Sequence, residues 1–362
     1  MHANNSSNRL LSLDFLRGLI MVLLALESTG LYENLNEATN ESGWMQQFFH
    51  HPWNGLHFWD LIQPGFMFIA GTAMAFSLTR QQEKGVSWNE QFIKTLKRSG
   101  WLFFWGVLNY AVHSKGLSFE LWNVLTQLSF TTLVTFFVFK WSFRAQLVFC
   151  VGLLVLTEVL YRFTGIPGFD QPFTDQHNFG NYIDLILMNK TSSGGWVAIN
   201  CIPTAVHTIA GAMVGKLLLK KNPVLRWIWI GAVFSLLVGF GLDWGGVTPI
   251  IKRIATSSFT LVSLGWCLLA LGTAYWWIDQ NCHPKNLQFF TIVGMNSIFI
   301  YLFFEIVGGR WFNVYISSIS NGLMELVHIP EALMKIISSL IIFSLEWLLC
   351  YWLYKKKIFF KL

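Results

Sequence analysis

Residues 50–60 read HHPWNGLHFWD, which sets three histidines and one aspartate around a Pro-Trp-Asn-Gly stretch. Pro, Asn and Gly are turn-forming types, so the stretch is expected to fold the chain back on itself. An imidazole titrates near neutrality and suits general-base duty, and a carboxylate beside it can orient the ring and stabilise its cation. His57 and Asp60 are three apart and would share one face of a helix that already includes residue 57. On residue types alone His50, His51 and His57 remain alternates for a base. The competing reading is an interfacial belt of Trp53, His57 and Trp59 that carries no chemistry.

The elements that must position this stretch are membrane helices. The 362 residues are 54% hydrophobic and 12% charged, about half the charged share of a soluble domain. Apolar runs of helical span length recur along the whole chain. The expectation is an all-α polytopic membrane protein forming one domain over residues 1–362. Ten spans are expected, at about 12–31, 58–79, 93–112, 121–139, 145–162, 197–219, 225–242, 256–278, 287–308 and 332–354. Residues 311–328 would be an interfacial or re-entrant segment, or an eleventh span. The first apolar run is too long for a cleaved leader and is read as a retained span.

Loop charges give the orientation. With the N-terminus inside, seventeen Lys and Arg fall on the inner side, Arg9, Lys221, Lys285 and Lys361 among them. Seven fall on the outer side: Lys115, Arg162, Lys190, Lys252, Arg253, Arg310 and Lys335. Both termini are therefore expected in the cytoplasm, and the net charge of +6 reports topology and headgroup contact, with no nucleic-acid partner. The long outer loops would be 32–57 and 163–196. The five cysteines, mostly within apolar runs and without a CxxC, argue for neither a disulfide nor a zinc site.

Polar residues recur where lipid is expected. SLDFLRGL opens the first span, with Ser12 as expected N-cap, Asp14 in the first turn and Arg17 three residues on. Arg17 either pairs with Asp14 or meets an anionic ligand. Gln63, Pro64 and Gly65 lie just beyond Asp60, Asn200, Thr204 and His207 in the sixth span, and Asn296, Ser297 and Glu305 in the ninth. Singly each is an interhelical hydrogen bond; together they point to a polar cavity biased to the outer half.

Four stretches taken together, RLLSLDFLRGL (9–19), HHPWNGLHFWDLIQPGFMFIAG (50–71), TPIIKRIATSSFTLVSLGWCLLAL (248–271) with YWWID (275–279), and GMNSIFIYLFFE (294–305), resemble the transmembrane acyltransferases related to heparan-α-glucosaminide N-acetyltransferase. INCIPTAVHTIAGAMVGK (199–216) is a weaker fifth. The resemblance is greatest to bacterial relatives linked to amino-sugar use, and implies a multi-pass protein of a bacterial inner membrane. It implies transfer of acetyl from acetyl-CoA across the bilayer to the amine of glucosamine or a glucosaminide, and a homodimer by analogy. The family's important histidine lies three residues before the tryptophan of W-N-G-L, here His50, and its aspartate corresponds to Asp60. Relatives often read P-W-F after the D-L where this chain has Gln63-Pro64-Gly65, and V-L-Q-R where it has NVLTQLS (123–129).

Under that reading His50 is the base, with an acetyl-histidine as the alternative route, and Asp60 stabilises the imidazolium. Asn54, Ser257, Ser258 and Asn296 are candidate oxyanion or sugar contacts. Arg17, Lys94, Lys97, Arg98 and Lys216 are candidates for the CoA phosphates at the cytoplasmic face. No metal is called for. The rival functions are an O-acyltransferase acting on an envelope glycan and a sugar or acid transporter using Arg17, Asp60 and His207.

Overall fold

The structure is a computed structural model and describes residues 10–113, 116–220, 224–283 and 286–360. Arg9, Lys115, Lys221, Lys285 and Lys361, used in the charge count, lie outside the described residues. In chain order the helices are α1 (Leu11–Ser28), α2 (Leu31–Ala38), α3 (Ile62–Glu83), α4 (Trp88–Ala111), α5 (Val124–Val138), α6 (Phe143–Phe163), α7 (Phe179–Met188), α8 (Cys201–Leu219), α9 (Val224–Trp244), α10 (Ser257–Ala274), α11 (Gln288–Met295), α12 (Ser297–Leu302), α13 (Asn313–Glu325) and α14 (Glu331–Lys355). Wide π turns follow α10 and α12, at Tyr275–Gln280 and Phe303–Phe312. A two-residue antiparallel pairing joins Val112–His113 to Gly116–Leu117.

Among the described residues, seven helical stretches are long and apolar enough to cross a membrane. They are Phe58–Glu83, Phe143–Phe163, Ala198–Leu219, Val224–Trp244, Ser257–Gln280, Ser297–Glu325 and Glu331–Lys355. The expected spans at 12–31, 93–112 and 121–139 are helical as well, but differ in charge or length. α1 carries Asp14, Arg17 and Glu27, α4 carries Glu90, Lys94, Lys97 and Arg98, and α5 has only 15 residues. The ninth expected span is divided differently. The helix breaks at Asn296, then runs from Ser297 to Glu325 through the segment expected to stand apart. The wide turn at 303–312 carries Gly308 and Gly309 without ending the helix.

Contacts divide the described residues into two compact units, one lying within 10–45 and 269–360, the other within 46–268. In the first, α1 begins one residue before the expected cap. The Asp279 carboxylate, from YWWID, accepts the Leu11 and Ser12 backbone N–H groups at 3.0 and 3.1 Å. Asp279 thus supplies the cap that Ser12 was expected to give, because its two oxygens satisfy two free N–H groups of the helix end and oppose its dipole. Gly18 and Gly294 bring α1 and α11 together: a Cβ on Gly18 would sit 2.0 Å from the Phe290 carbonyl oxygen.

The second unit is built on α3 against α8. Gly71 lies on the Thr208 carbonyl and Gly211 on the Phe68 carbonyl, so the two backbones touch through small residues. These are the most buried of the spans, while α6 and α9 turn most of their surface outward. Polar pairs join the helices: Gln63 donates to Gln127 at 2.8 Å and Thr208 to Thr131 at 3.0 Å. Asn123 caps α5 by accepting from Leu125 and Thr126, and donates to the Gly106 carbonyl of α4. A Cβ on Gly71 would fall 1.9 Å from the Thr208 oxygen. Gly71→Ala is therefore expected to cost about 1–3 kcal/mol by overpacking, read as a lower melting temperature in detergent; an unchanged melt would deny the close approach.

Candidate functional site

The site is assembled from three loops of the second unit. The hairpin is held from two sides. Trp53 Nε1 donates to the Phe173 carbonyl at 2.7 Å, and Gly55 N donates to the Ile250 carbonyl at 2.8 Å. The second of these bonds ties the turn to the 249–256 loop. Gly55 has φ +141, and a Cβ there would meet the His51 ring at 2.5 Å, so only glycine fits. The third loop arrives through Arg253, which donates to the Gly194 carbonyl, and through Trp196, whose ring lies 5.4 Å from that of His50.

The 249–256 loop is fixed by its own hydroxyls. Thr256 and Ser258 both donate to the Pro249 carbonyl at 2.7 Å, Ile251 N donates to Thr256 Oγ1, and Ile250 N to Asp243. This loop delivers Lys252. Its Nζ lies 2.9 Å from His50 Nδ1, 3.4 Å from His50 Nε2 and 3.7 Å from Asp60 Oδ1. Its side chain is 7% exposed, that of Asp60 1% and that of His50 35%, so an open imidazole stands over a buried ion pair.

Asp60 is the hub. Oδ1 lies 3.0 Å from His50 Nδ1, while Oδ2 accepts the backbone N–H groups of His57 at 2.8 Å and His51 at 3.3 Å. The Phe58–Leu61 turn presents this carboxylate at the start of α3, where the helix dipole favours an anion. Two groups therefore compete for His50 Nδ1. If Nδ1 carries hydrogen it donates to Asp60 and leaves Nε2 as the acceptor nitrogen, 3.4 Å from Lys252 Nζ; if it does not, it accepts from Lys252. Burial holds the His50 pKa below the ordinary imidazole value, and the Lys252 cation adds to this while Asp60 opposes it. His51 is also lowered, chiefly by burial and then by His57. His57 Nδ1 donates to the Phe49 carbonyl at 3.0 Å, which fixes its tautomer and takes that nitrogen out of proton transfer.

The other expected site residues are placed as follows. Asn54 is exposed at the turn. Ser258 is fully buried and donates to Pro249, and Ser257, also buried, donates to the Leu154 carbonyl at 3.4 Å. Ser258 thereby helps to shape the loop that carries Lys252, while Ser257 ties the start of α10 to α6. Lys94 and Lys97 are exposed and Arg98 half-buried on α4, after the turn that follows α3. Lys216 donates to the Phe139 carbonyl at 2.9 Å and to Gln146 at 3.0 Å. Arg17 and Asn296 belong to the first unit. Arg17 lies 3.8 Å from Asp14. Asn296 is buried, donates to the Ile358 carbonyl at 3.1 Å and accepts from Phe360 N at 2.9 Å. Its amide is occupied at both ends by the C-terminal segment.

Residue types alone do not single out Lys252, which stands in sequence among the outer-side cations. Its signal lies in that count, because topology accounts for cations on the inner side and leaves those on the minority side unexplained. Trp196 likewise reads in sequence only as the end of a loop.

No protein-family model matches the chain. Over 104 residues it is 35% identical to the heparan-alpha-glucosaminide N-acetyltransferase of Mus musculus. That stretch is 29% of this chain and spans 14% of the relative's own length. The similarity suggests a relation to that protein, and the apolar helices accord with a multi-pass membrane protein.

Proposed function

We propose that this protein is a transmembrane acetyltransferase that moves the acetyl group of acetyl-CoA to the amine of glucosamine or a glucosaminide. The observation that carries the reading is the imidazole of His50, one-third exposed, held at 3.0 Å by the buried carboxylate of Asp60. The partial match to a glucosaminide N-acetyltransferase supports the same class of reaction.

In the proposed step the acceptor amine attacks the thioester carbonyl carbon. His50 Nε2 takes the proton that the amine sheds, Nδ1–H donates to Asp60, and the imidazolium then returns a proton to the departing CoA thiolate. A neutral ring is the working form, so a lowered His50 pKa keeps the base available at mildly acid pH. Lys252 holds Asp60 in place and weighs against the imidazolium.

The proposed orientation keeps both termini in the cytoplasm of a bacterial host, with the His50 hairpin on the far side of the inner membrane. From Asp60 to Arg80 the helix advances about 30 Å at roughly 1.5 Å per residue, so the basic start of α4, with Lys94, Lys97 and Arg98, lies toward the opposite end of α3. The CoA phosphates are proposed to meet that end, with the pantetheine arm carrying the thioester toward His50.

The test is an acceptor panel with the purified protein in nanodiscs and labelled acetyl-CoA. Label is expected on glucosamine and its oligomers and absent from sugars bearing hydroxyls alone. Transfer to the hydroxyl sugars would point instead to an O-acyltransferase. Sugar accumulation in vesicles without acetyl-CoA would point to a transporter.

A further inference from the structure

The first unit holds a second group of buried polar atoms, independent of the acetyl-transfer reading. Glu346 lies on α14, nine residues before Lys355, about 14 Å from that end of the helix at roughly 1.5 Å per residue. It is 1% exposed, and among the described residues neither carboxyl oxygen has a hydrogen-bond partner. Across from it is Asn313, at the join of the wide 303–312 turn and α13. Its Nδ2 donates to the Ser28 carbonyl of α1 at 2.7 Å. A carbonyl can only accept, so this bond settles the orientation of the amide. Asn313 Oδ1 is then buried without a partner of its own among the described residues.

Both oxygens flank Gly308. A Cβ built on Gly308 would lie 3.3 Å from Asn313 Oδ1 and 3.4 Å from Glu346 Oε1. Both are acceptors unless the carboxyl is protonated, and an ionised carboxylate at this depth without a counter-charge is strongly unfavourable. The charged residues of the surrounding elements, Arg17 and Glu27 on α1 and Glu305 and Arg310 on the wide turn, leave both Glu346 oxygens without a hydrogen bond. Lys335, on the same helix, is taken by Glu331 and Glu37. Cys350, one turn along, is a buried thiol. The arrangement calls for a small positive charge, and π-type turns of this sort recur at functional positions.

We propose that Glu346 and Asn313 bind a small cation within the membrane part of this unit, either a proton carried on Glu346 and donated to Asn313 Oδ1, or an alkali-metal ion held between the two oxygens.

The experiment uses the full-length protein in detergent with an apolar carbodiimide, which adds to a protonated carboxyl in an apolar setting, and reads Glu346 by peptide mass spectrometry. Melting curves of the wild type and of Glu346→Gln are taken over the same pH series. Labelling of Glu346 that falls several-fold as pH rises, whether the salt is choline or sodium, identifies the occupant as a proton. Labelling suppressed by sodium and restored by choline identifies an alkali-metal ion. If the reagent does not reach the site, a melting gap between wild type and Glu346→Gln that changes with pH or sodium still supports the proposal. An unlabelled Glu346 together with a gap that is the same at every pH and in both salts overturns it.

Discussion

Replacing His50 with alanine is expected to lower the proposed acetyl transfer by about a hundredfold to ten-thousandfold, the range typical of losing a positioned general base. The fold survives the change. Asp60 keeps two backbone N–H donors and Lys252 at 3.7 Å, so no buried charge is abandoned when the imidazole is removed. The same substitution at His57 is expected to cost far less, because its Nδ1 serves the Phe49 carbonyl and its backbone, rather than its ring, holds Asp60. Steady-state rates for the two variants, with CoA binding measured beside them, separate the roles. Equal losses at His50 and His57 would return the base to the set of alternates left open by residue types alone.

The second large effect is expected at Lys252. With methionine there, His50 loses a cation 2.9 Å from its ring, and its pKa rises toward the ordinary value. Because the neutral ring is the working form, the acid limb of kcat/KM moves to higher pH and the rate falls at mildly acid pH. Asp60→Asn removes the anion that favours imidazolium, so its acid limb moves to lower pH. These opposite displacements distinguish an electrostatic role from a purely structural one. Lys252→Met also breaks a buried ion pair, a change that costs about 3 kcal/mol where one partner is left behind, with His50 and two N–H groups softening the loss. Lys252→Arg, which keeps the charge, is expected to restore the wild-type limb at reduced rate. A Lys252→Met profile that keeps its limb and merely drops in height would leave Lys252 as packing.

Much of the membrane architecture is legible in the chain because apolar length and sparse charge are one-dimensional properties. Helices α3, α6, α8, α9, α10 and α14 all fall where apolar runs end in charged or turn-forming residues. The hairpin at 50–60 is legible for a similar reason, since His, Pro, Asn, Gly and Asp within one short stretch leave few ways to fold. What the chain hides is long-range partnership. Asp279 capping α1, or Trp53 donating to the Phe173 carbonyl, joins residues whose pairing no local pattern announces. Serines and asparagines at depth look like ligand contacts in sequence, yet Ser258 and Asn296 bond to backbone because a buried polar side chain takes the nearest free backbone group. Lys252 is hidden by a rule that works: loop cations usually report topology, and only the fold shows this one turned inward to Asp60.

In the proposed reaction acetyl leaves CoA on one side of the membrane and reaches an amine on the other, with His50 as the base. Sealed proteoliposomes, with labelled acetyl-CoA confined to one compartment and glucosamine to the other, put both halves of that statement to one test. Labelled N-acetylglucosamine is expected in the glucosamine compartment with the wild type, and none above background with His50→Ala. Product formed at equal rates by both proteins, or only when acetyl-CoA and glucosamine share a compartment, would overturn it.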